Sequence, residues 1–301
     1  MTNENSTARA YGIAPAGYRL PDSTHIGRVR LQIASLERSI AFYESVIGFR
    51  VLRRMNSMAQ LGAQDDDQVL IELHEKPGVR PAARRGLIGL YHYAILLPDR
   101  AALGRFVQHL AELGTRAGMS DHFVSEAIYL SDPDGLGIEV YADRPRSAWR
   151  VDDRQLAMTT VPLDVQDLVR AAAGRPWTGA PAGTRIGHVH LYVRDIDQAA
   201  AFYHDALGLD KVVWNYPGAL FLSAGGYHHH LGTNTWAAEA PLASEADARL
   251  LDWELVLPDD AEITATVESL RSYGFGVDVG DHEATVKDPW GTGLRLTSSP
   301  H

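Results

Sequence analysis

The chain repeats itself, and that restricts its fold more than any other feature. Residues 186–209 read IGHVHLYVRDIDQAAAFYHDALGL and residues 26–49 read IGRVRLQIASLERSIAFYESVIGF, a displacement of 160 with eight of 24 positions identical. Both copies must therefore form the same supersecondary unit. In the later copy Val189, Leu191 and Val193 alternate with His188, His190 and Tyr192. That is the period of a strand with one apolar face and one face carrying imidazoles. Asp195 is placed to cap a helix, apolar residues recur at helical spacing through Ala199, Phe202, Tyr203 and Leu207, and Gly208 stops it. In the earlier copy Arg28 and Arg30 replace His188 and His190. The copies differ at the polar strand positions, where chemistry would sit.

Two further segments show the same order of elements. LYHYAILL (90–97) precedes a helix predicted over about 100–113, closed by Gly114, and strands predicted over 122–130 and 136–142 flank the turn SDPDG (131–135). LLDWELVLPDD (250–260), a helix to Tyr273, Gly274 and VKDPWGTGLRL (286–296) repeat that pattern 160 residues later. In the first module the helix is predicted over 36–46 and the last strand at VLIELHE (69–75), before a basic loop, KPGVRPAARRG (76–86). The fold class is α+β, built from four βαβββ modules. The expected organisation is a disordered tail over 1–23, modules 1 and 2 over 24–142, a linker over 143–183 with one helix near 163–173, and modules 3 and 4 over 184–298.

Composition limits the chemistry. With 38 acidic against 28 basic residues, a net charge of −10 disfavours nucleic acid or an anionic membrane as partner. No apolar run reaches the roughly 20 residues of a bilayer span, and no leader-type segment is recognisable, so the cytoplasm is the expected compartment. There is no cysteine, so any metal must be held by imidazole and carboxylate, which 13 histidines can supply.

Four such modules resemble the vicinal oxygen chelate superfamily, which includes glyoxalases, bleomycin-resistance proteins and extradiol dioxygenases. The resemblance covers about 24–142 and 184–298. It implies paired modules whose curved sheets enclose clefts, with metal ligands on first and last strands. Carried onto this chain, those positions are Arg28 and Glu72 in module 1, and His92 and Glu139 in module 2. Module 3 supplies His188 with one of His228, His229 and His230, and module 4 supplies Asp252 and Arg295. Pairing 1 with 2 and 3 with 4 would set an arginine in each site, and a guanidinium cannot ligate a cation. Pairing 2 with 3 instead unites His92, Glu139 and His188, the two-histidine, one-carboxylate set of non-haem iron(II) oxygenases. Pairing 1 with 4 unites Arg28, Glu72, Asp252 and Arg295 as a salt-bridged relic.

Within the superfamily the chain is most similar to extradiol catechol dioxygenases. FLSAGGYHHHLGTN (221–234) resembles their paired-histidine segment, which implies His229 as acid–base residue. IYLSDPDGLGIEVY (128–141) resembles the segment in which a tyrosine precedes the ligand glutamate by ten residues, here Tyr129 and Glu139. His122 resembles their second-sphere histidine at a slightly shorter spacing. In the commonest two-domain enzymes the triad comes from modules 3 and 4, whereas here it would come from 2 and 3. The resemblance implies iron(II), with manganese(II) as the other candidate, and O2 with a catechol-type aromatic as substrates. Trp214, Tyr216, Phe221 and Trp236 are candidates for the cleft wall, and the sequence leaves room for a homo-oligomer. Two rival readings remain at this stage: a metal-dependent isomerase or lyase with His229 as fourth ligand, and a metal-free protein that binds a small aromatic.

Overall fold

The computed structural model describes residues 11–298. Module 1 comprises β1 (His25–Ile33), α1 (Leu36–Phe42), β2 (Arg50–Met55), β3 (Met58–Gly62) and β4 (Ile71–Glu75). Module 2 comprises β5 (Gly89–Leu96), α2 (Arg100–Glu112), β6 (Gly118–Asp121), β7 (Ser125–Ser131) and β8 (Gly137–Asp143). The linker forms a short hairpin, β9 (Val151–Asp152) and β10 (Gln155–Leu156), and the helix α3 (Val165–Ala171). Module 3 comprises β11 (Arg185–Tyr192), α4 (Ile196–Ala200), β12 (Asp210–Val213), β13 (Ala219–Ser223) and β14 (Leu231–Asn234). Module 4 comprises β15 (Arg249–Leu257), α5 (Asp260–Ser272), β16 (Val277–Val279), β17 (Glu283–Lys287) and β18 (Gly293–Ser298).

The helices begin where their caps place them. Asp99, Asp195 and Asp259 accept from the backbone N–H three residues on, at Ala102, Gln198 and Glu262. Helix α1 is shorter than its spacing predicts: it widens after Phe42 into a π-helical turn, Tyr43–Ile47, and α4 does the same at Ala201–Ala206. Tyr43 and Tyr203, equivalent in the repeat, are fully buried in these turns, the former with its hydroxyl 2.6 Å from that of Tyr93.

Modules pair as the ligand argument requires. One eight-stranded sheet, β16-β17-β18-β15-β1-β4-β3-β2, joins modules 4 and 1; the other, β12-β13-β14-β11-β5-β8-β7-β6, joins modules 3 and 2. The seams are antiparallel pairings of first strands, β1 with β15 and β5 with β11. Each sheet thus takes one module from either half of the sequence. Strand alternation then does the rest. Val29, Leu31, Tyr93, Ile95, Val189, Leu191, Trp253 and Leu255 point to one side of their strands and share one continuous core with the helices. The opposite faces, bearing Arg28 and Arg30 in one sheet and His188 and His190 in the other, look into the two clefts.

The N-terminal stretch departs from expectation. Residues 1–10 lie outside the described residues, but the rest of the expected tail is packed. Ile13 bridges Lys211, Leu20 is buried and donates its N–H to Gly208 O, and Arg19 pairs with Asp210 at 2.6 Å. Tyr18 and Leu20 supply apolar surface that a solvated tail would waste.

The cleft of modules 1 and 4 holds ion pairs. Arg28 lies 3.5 Å from Glu72 and 3.3 Å from Glu254, while Arg30 lies 3.1 Å from Glu72 and 2.6 Å from Asp252. Arg295 is 3.7 Å from Asp252 and closer, 2.6 Å, to Glu283. The four residues named from the sequence are therefore linked, but through Arg30, which the sequence marked as the counterpart of His190 and not as a member of the set. His74, 2.7 Å away, together with Gln60 and Arg30, outweighs the upward effect of burial and holds the Glu72 carboxyl down at about 2. That folded value lies below the unfolded carboxylate range of about 4.3. The resulting stabilisation is complete above that range and is lost as pH falls from about 4.3 towards 2. We expect Arg28→Ala to lower stability by about 1–2 kcal/mol, less than for a fully buried pair because Arg28 keeps 28% of its side chain exposed. The loss should appear in urea denaturation at pH 7 with no change in metal content. An unchanged midpoint would show that this network does not support the fold.

Candidate active site

The other cleft begins at the β5–β11 seam. In its register His190 faces His92 and His188 faces Ala94, and in the next strand pair Ala94 faces Glu139. Ala94 is the small residue over which His188 and Glu139 meet. Its counterpart 160 residues on is Glu254, which fills that place with charge in the ion-paired cleft. Gly187, at a bulge in β11, brings that strand against the Tyr141 side chain, and a Cβ there would overlap the Tyr141 hydroxyl. Gly232, across from His190, likewise leaves room for its ring.

Three donor groups converge. His92 Nε2 lies 3.0 Å and His188 Nε2 3.2 Å from the same oxygen, Glu139 Oε2, and the potential ligand atoms all lie within 4.8 Å of one another. All three residues are at least 96% buried. Only the His188–Glu139 contact has the alignment of a hydrogen bond; both nitrogens of His92 and Nδ1 of His188 have no hydrogen-bond partner. Buried imidazoles without partners are costly in a closed protein interior. The same set is what a divalent cation takes up. Its protonation also fits. Burial lowers the affinity of His92 and His188 for protons against the opposing pull of Glu139, so both rings are neutral. Burial acts to raise Glu139, but His188 and His92 prevail and hold its carboxyl well below the usual range. Neutral imidazoles and an ionised carboxylate are the forms that bind metal.

His190 is a third imidazole, beside the triad, its ring 5.0 Å from that of His92. Its Nε2 accepts from the Asn234 amide at 2.9 Å, which occupies the lone pair it would need as a ligand. The sequence marks His190 by its shared strand face with His188, but its partner Asn234 is 44 residues away and was not legible. His228, His229 and His230, expected on the last strand of module 3, instead lie in the connection before β14. His230 is buried and accepts from the Ala224 N–H. His229 lines the cavity with its ring 4.1 Å from that of His188. Burial, then His188, His228, His190 and His92, depress its basicity well below the usual imidazole range. His228 Nε2 donates to Asp143 Oδ1 at 2.9 Å, so its Nδ1, 2.8 Å from Nδ1 of His229, accepts from that ring. His229 is left with Nε2 as its basic atom.

Tyr129 faces Glu139 directly across β7 and β8, and its ring lies 5.6 Å from that of His92. Burial, and then the Glu139 charge, push its phenol well above the usual value, so it stays a hydrogen-bond donor. His122 lies just beyond β6 rather than on a strand. Its Nδ1 donates to Thr159 O and its Nε2 accepts from the Tyr129 hydroxyl, each at 2.6 Å. Thr159 belongs to the linker, which bridges Asp121 at Val161 and supplies Met158, Thr159 and Thr160 to the cavity wall. No feature of the linker sequence announced that role. The cavity is about 800 Å³, ample for a single substituted aromatic ring. Tyr216, Phe221 and Trp236 line it as expected, whereas Trp214 packs against the core instead.

The chain belongs to the glyoxalase/bleomycin resistance protein/dioxygenase superfamily, whose model matches residues 25–140 and 185–296. It is 46% identical over 272 residues to a catechol-2,3-dioxygenase of Bacillus subtilis (strain 168), a match spanning 89% of this chain and 95% of that one. Among solved structures, one from Bacillus subtilis subsp. subtilis str. 168 matches with a TM-score of 0.65 at 14% identity, covering 94% of this chain and 87% of the other. Glyoxalase I from Zea mays matches with a TM-score of 0.55 at 16% identity, covering 92% of both chains. These structural likenesses establish the fold. Among the described residues no helix is long and apolar enough to cross a membrane.

The glycine at the seam supplies a direct test of how the site is held. Gly187→Ala should displace Tyr141 or β11 and cost about 1–3 kcal/mol, the usual result of forcing a methyl into a packed interior. Because His188 follows immediately, metal affinity should fall with it. The double variant with Tyr141→Phe removes the overlapped hydroxyl but keeps the ring carbon 2.8 Å from the new methyl, and should recover part of both. Unaltered metal affinity in Gly187→Ala alone would contradict this placement.

Proposed function

We propose that this protein is a metal-dependent extradiol dioxygenase that opens a catechol-type aromatic ring with O2. The observation that carries the reading is the buried triad His92, Glu139 and His188 on the wall of a cavity sized for one aromatic ring. The 46% identity to a catechol-2,3-dioxygenase over nearly the whole of both chains supports it. His92, His188 and Glu139 would hold the metal, with iron(II) the first candidate and manganese(II) the second. When bound, such a metal supplies a Lewis-acid, redox-capable centre for the two vicinal oxygens of the substrate and for O2. Three protein donors leave coordination positions open, and neither His190 nor His229 joins the set. That favours ring cleavage over an isomerase with four protein ligands.

The remaining residues manage protons and shape. His229 takes a proton from a catechol hydroxyl at Nε2 and later returns it, while Asp143 and His228 hold its tautomer from behind. The Tyr129 hydroxyl gives its proton to His122 Nε2 and so turns its oxygen to the cavity as an acceptor, and His122 aims it through a bond anchored on the linker carbonyl. Phe221 and Trp236 bound the ring space.

Anaerobically iron-loaded protein, mixed with a panel of catechols in an oxygen electrode, should consume O2 and yield a coloured ring-opened semialdehyde or ketoacid. His92→Ala, His188→Ala and Glu139→Ala should lose metal and activity together. His229→Ala should retain iron and slow turnover by roughly 10²–10⁴-fold, the usual contribution of a general acid–base group. No O2 uptake with any catechol would remove the ring-cleavage reading. Loss of metal from His229→Ala would make that residue a ligand and favour the isomerase.

A further inference from the structure

The cavity wall is strongly positive in a protein that is acidic as a whole. Arg84, Arg85, Arg116 and Arg249 line it, and its single carboxylate is Glu139 of the triad, although the chain carries a net charge of −10. None of the four forms an ion pair among the described residues, unlike Arg19, Arg28, Arg30, Arg80, Arg100 and Arg144 elsewhere. Arg249 is the most telling, because its Nε is buried without a hydrogen-bond partner. A guanidinium on a cavity wall with one N–H desolvated and unpaired has donor capacity left for an acceptor.

The arginines are placed, not scattered. The basic loop after β4 is tied down on both flanks: Arg80 N donates to Ala246 O, Ala82 N to Asp134 O and Ile88 N to Pro241 O, each at 2.8 Å. Gly86 N donates to Ala83 O and closes a turn that carries Arg84 and Arg85 at its tip, with Arg85 in the left-handed region at φ 57°. A non-glycine residue held there marks a backbone fixed by its surroundings. Arg84 lies beside the Tyr91 phenol and Arg85 beside that of Tyr192. The Tyr91 ring in turn lies 4.6 Å from the ring of His92. Arg84 therefore sits one aromatic layer outward from the triad. The segment 242–248 that pins the loop leads directly into Arg249 at the start of β15.

We infer that this group of arginines is a subsite for an anionic substituent, and that the preferred substrates are catechols bearing a carboxylate on a short side arm. The inference rests on the proposed ring cleavage for the diol end of the ligand; the arginines account for the other end. A planar guanidinium pairs with a carboxylate through two parallel hydrogen bonds, so several of them around one opening select for that group.

The test compares 3-(3,4-dihydroxyphenyl)propanoate with its neutral primary amide on iron-loaded protein. Binding is read anaerobically by calorimetry and turnover in air by O2 uptake. The acid should bind about tenfold or more tightly than the amide, the scale of one or two charge-assisted hydrogen bonds. Salt should weaken the acid and spare the amide. The preference should collapse to about twofold or less in Arg249→Gln and in the Arg84→Gln, Arg85→Gln double variant, while Arg249→Lys, which keeps the charge, retains part of it. Equal binding of acid and amide, or a preference that survives every arginine variant, overturns the subsite. If both ligands are cleaved with equal kcat/KM, the subsite falls and ring cleavage stands. If the acid binds with the arginine-dependent preference but is never cleaved, the subsite stands and the ring-cleavage reading falls.

Discussion

The antiparallel seam between first strands governs the molecule. Each seam zips one module from the first half of the sequence to one from the second, and strand alternation turns the apolar faces of all four strands into a common core. What remains on the opposite faces is decided by a few residues. Over β5 and β11 those are His92, Ala94, His188 and His190; over β1 and β15 they are Arg28, Arg30, Asp252 and Glu254. An imidazole pair beside a carboxylate can accept a cation. Arginines facing carboxylates neutralise one another instead. One architecture thus yields a candidate reactive cleft and a charge-locked one, and the difference lies in side chains rather than backbone.

The candidate site depends on close approaches that only small residues permit. Gly187 lets Tyr141 lie beside the triad strand, Gly232 admits the His190 ring, and Ala94 clears the space where His188 and Glu139 meet. Around this floor, hydrogen bonds run outward in fixed directions. From His229 they pass through His228 to Asp143, which also accepts from Tyr227 at 3.1 Å. From Tyr129 they pass through His122 to the linker. Each chain sets a tautomer, and a set tautomer is what allows an imidazole to act in one direction.

Much of this was legible in the sequence because the duplication made it so. Repeat-equivalent positions could be compared, and an arginine opposite a histidine ruled out the obvious pairing of modules. The resemblance to the vicinal oxygen chelate superfamily supplied the ligand positions, and the comparison then let His92, Glu139 and His188 be named together. The illegible parts share a physical cause: they depend on contacts between segments with no periodic signal. Ahead of its one helix the linker reads only as rich in Arg, Pro and Gly, yet Thr159 fixes His122. Residues 11–22 read as tail, yet Leu20 is buried against module 3. The run His228–His230 looks like part of a strand, but three consecutive buried imidazoles require a turn to send their rings in different directions.

The central claim is a single metal site built from two imidazoles and one carboxylate. X-ray absorption at the iron edge, on anaerobically reconstituted protein with its iron content measured on the same sample, addresses it most directly. The account predicts one iron per chain, with scattering from two imidazoles and otherwise oxygen ligands, and a catechol replacing oxygen ligands without altering the imidazole count. Two irons per chain, three or more imidazoles on the metal, or no specific iron at all would contradict it.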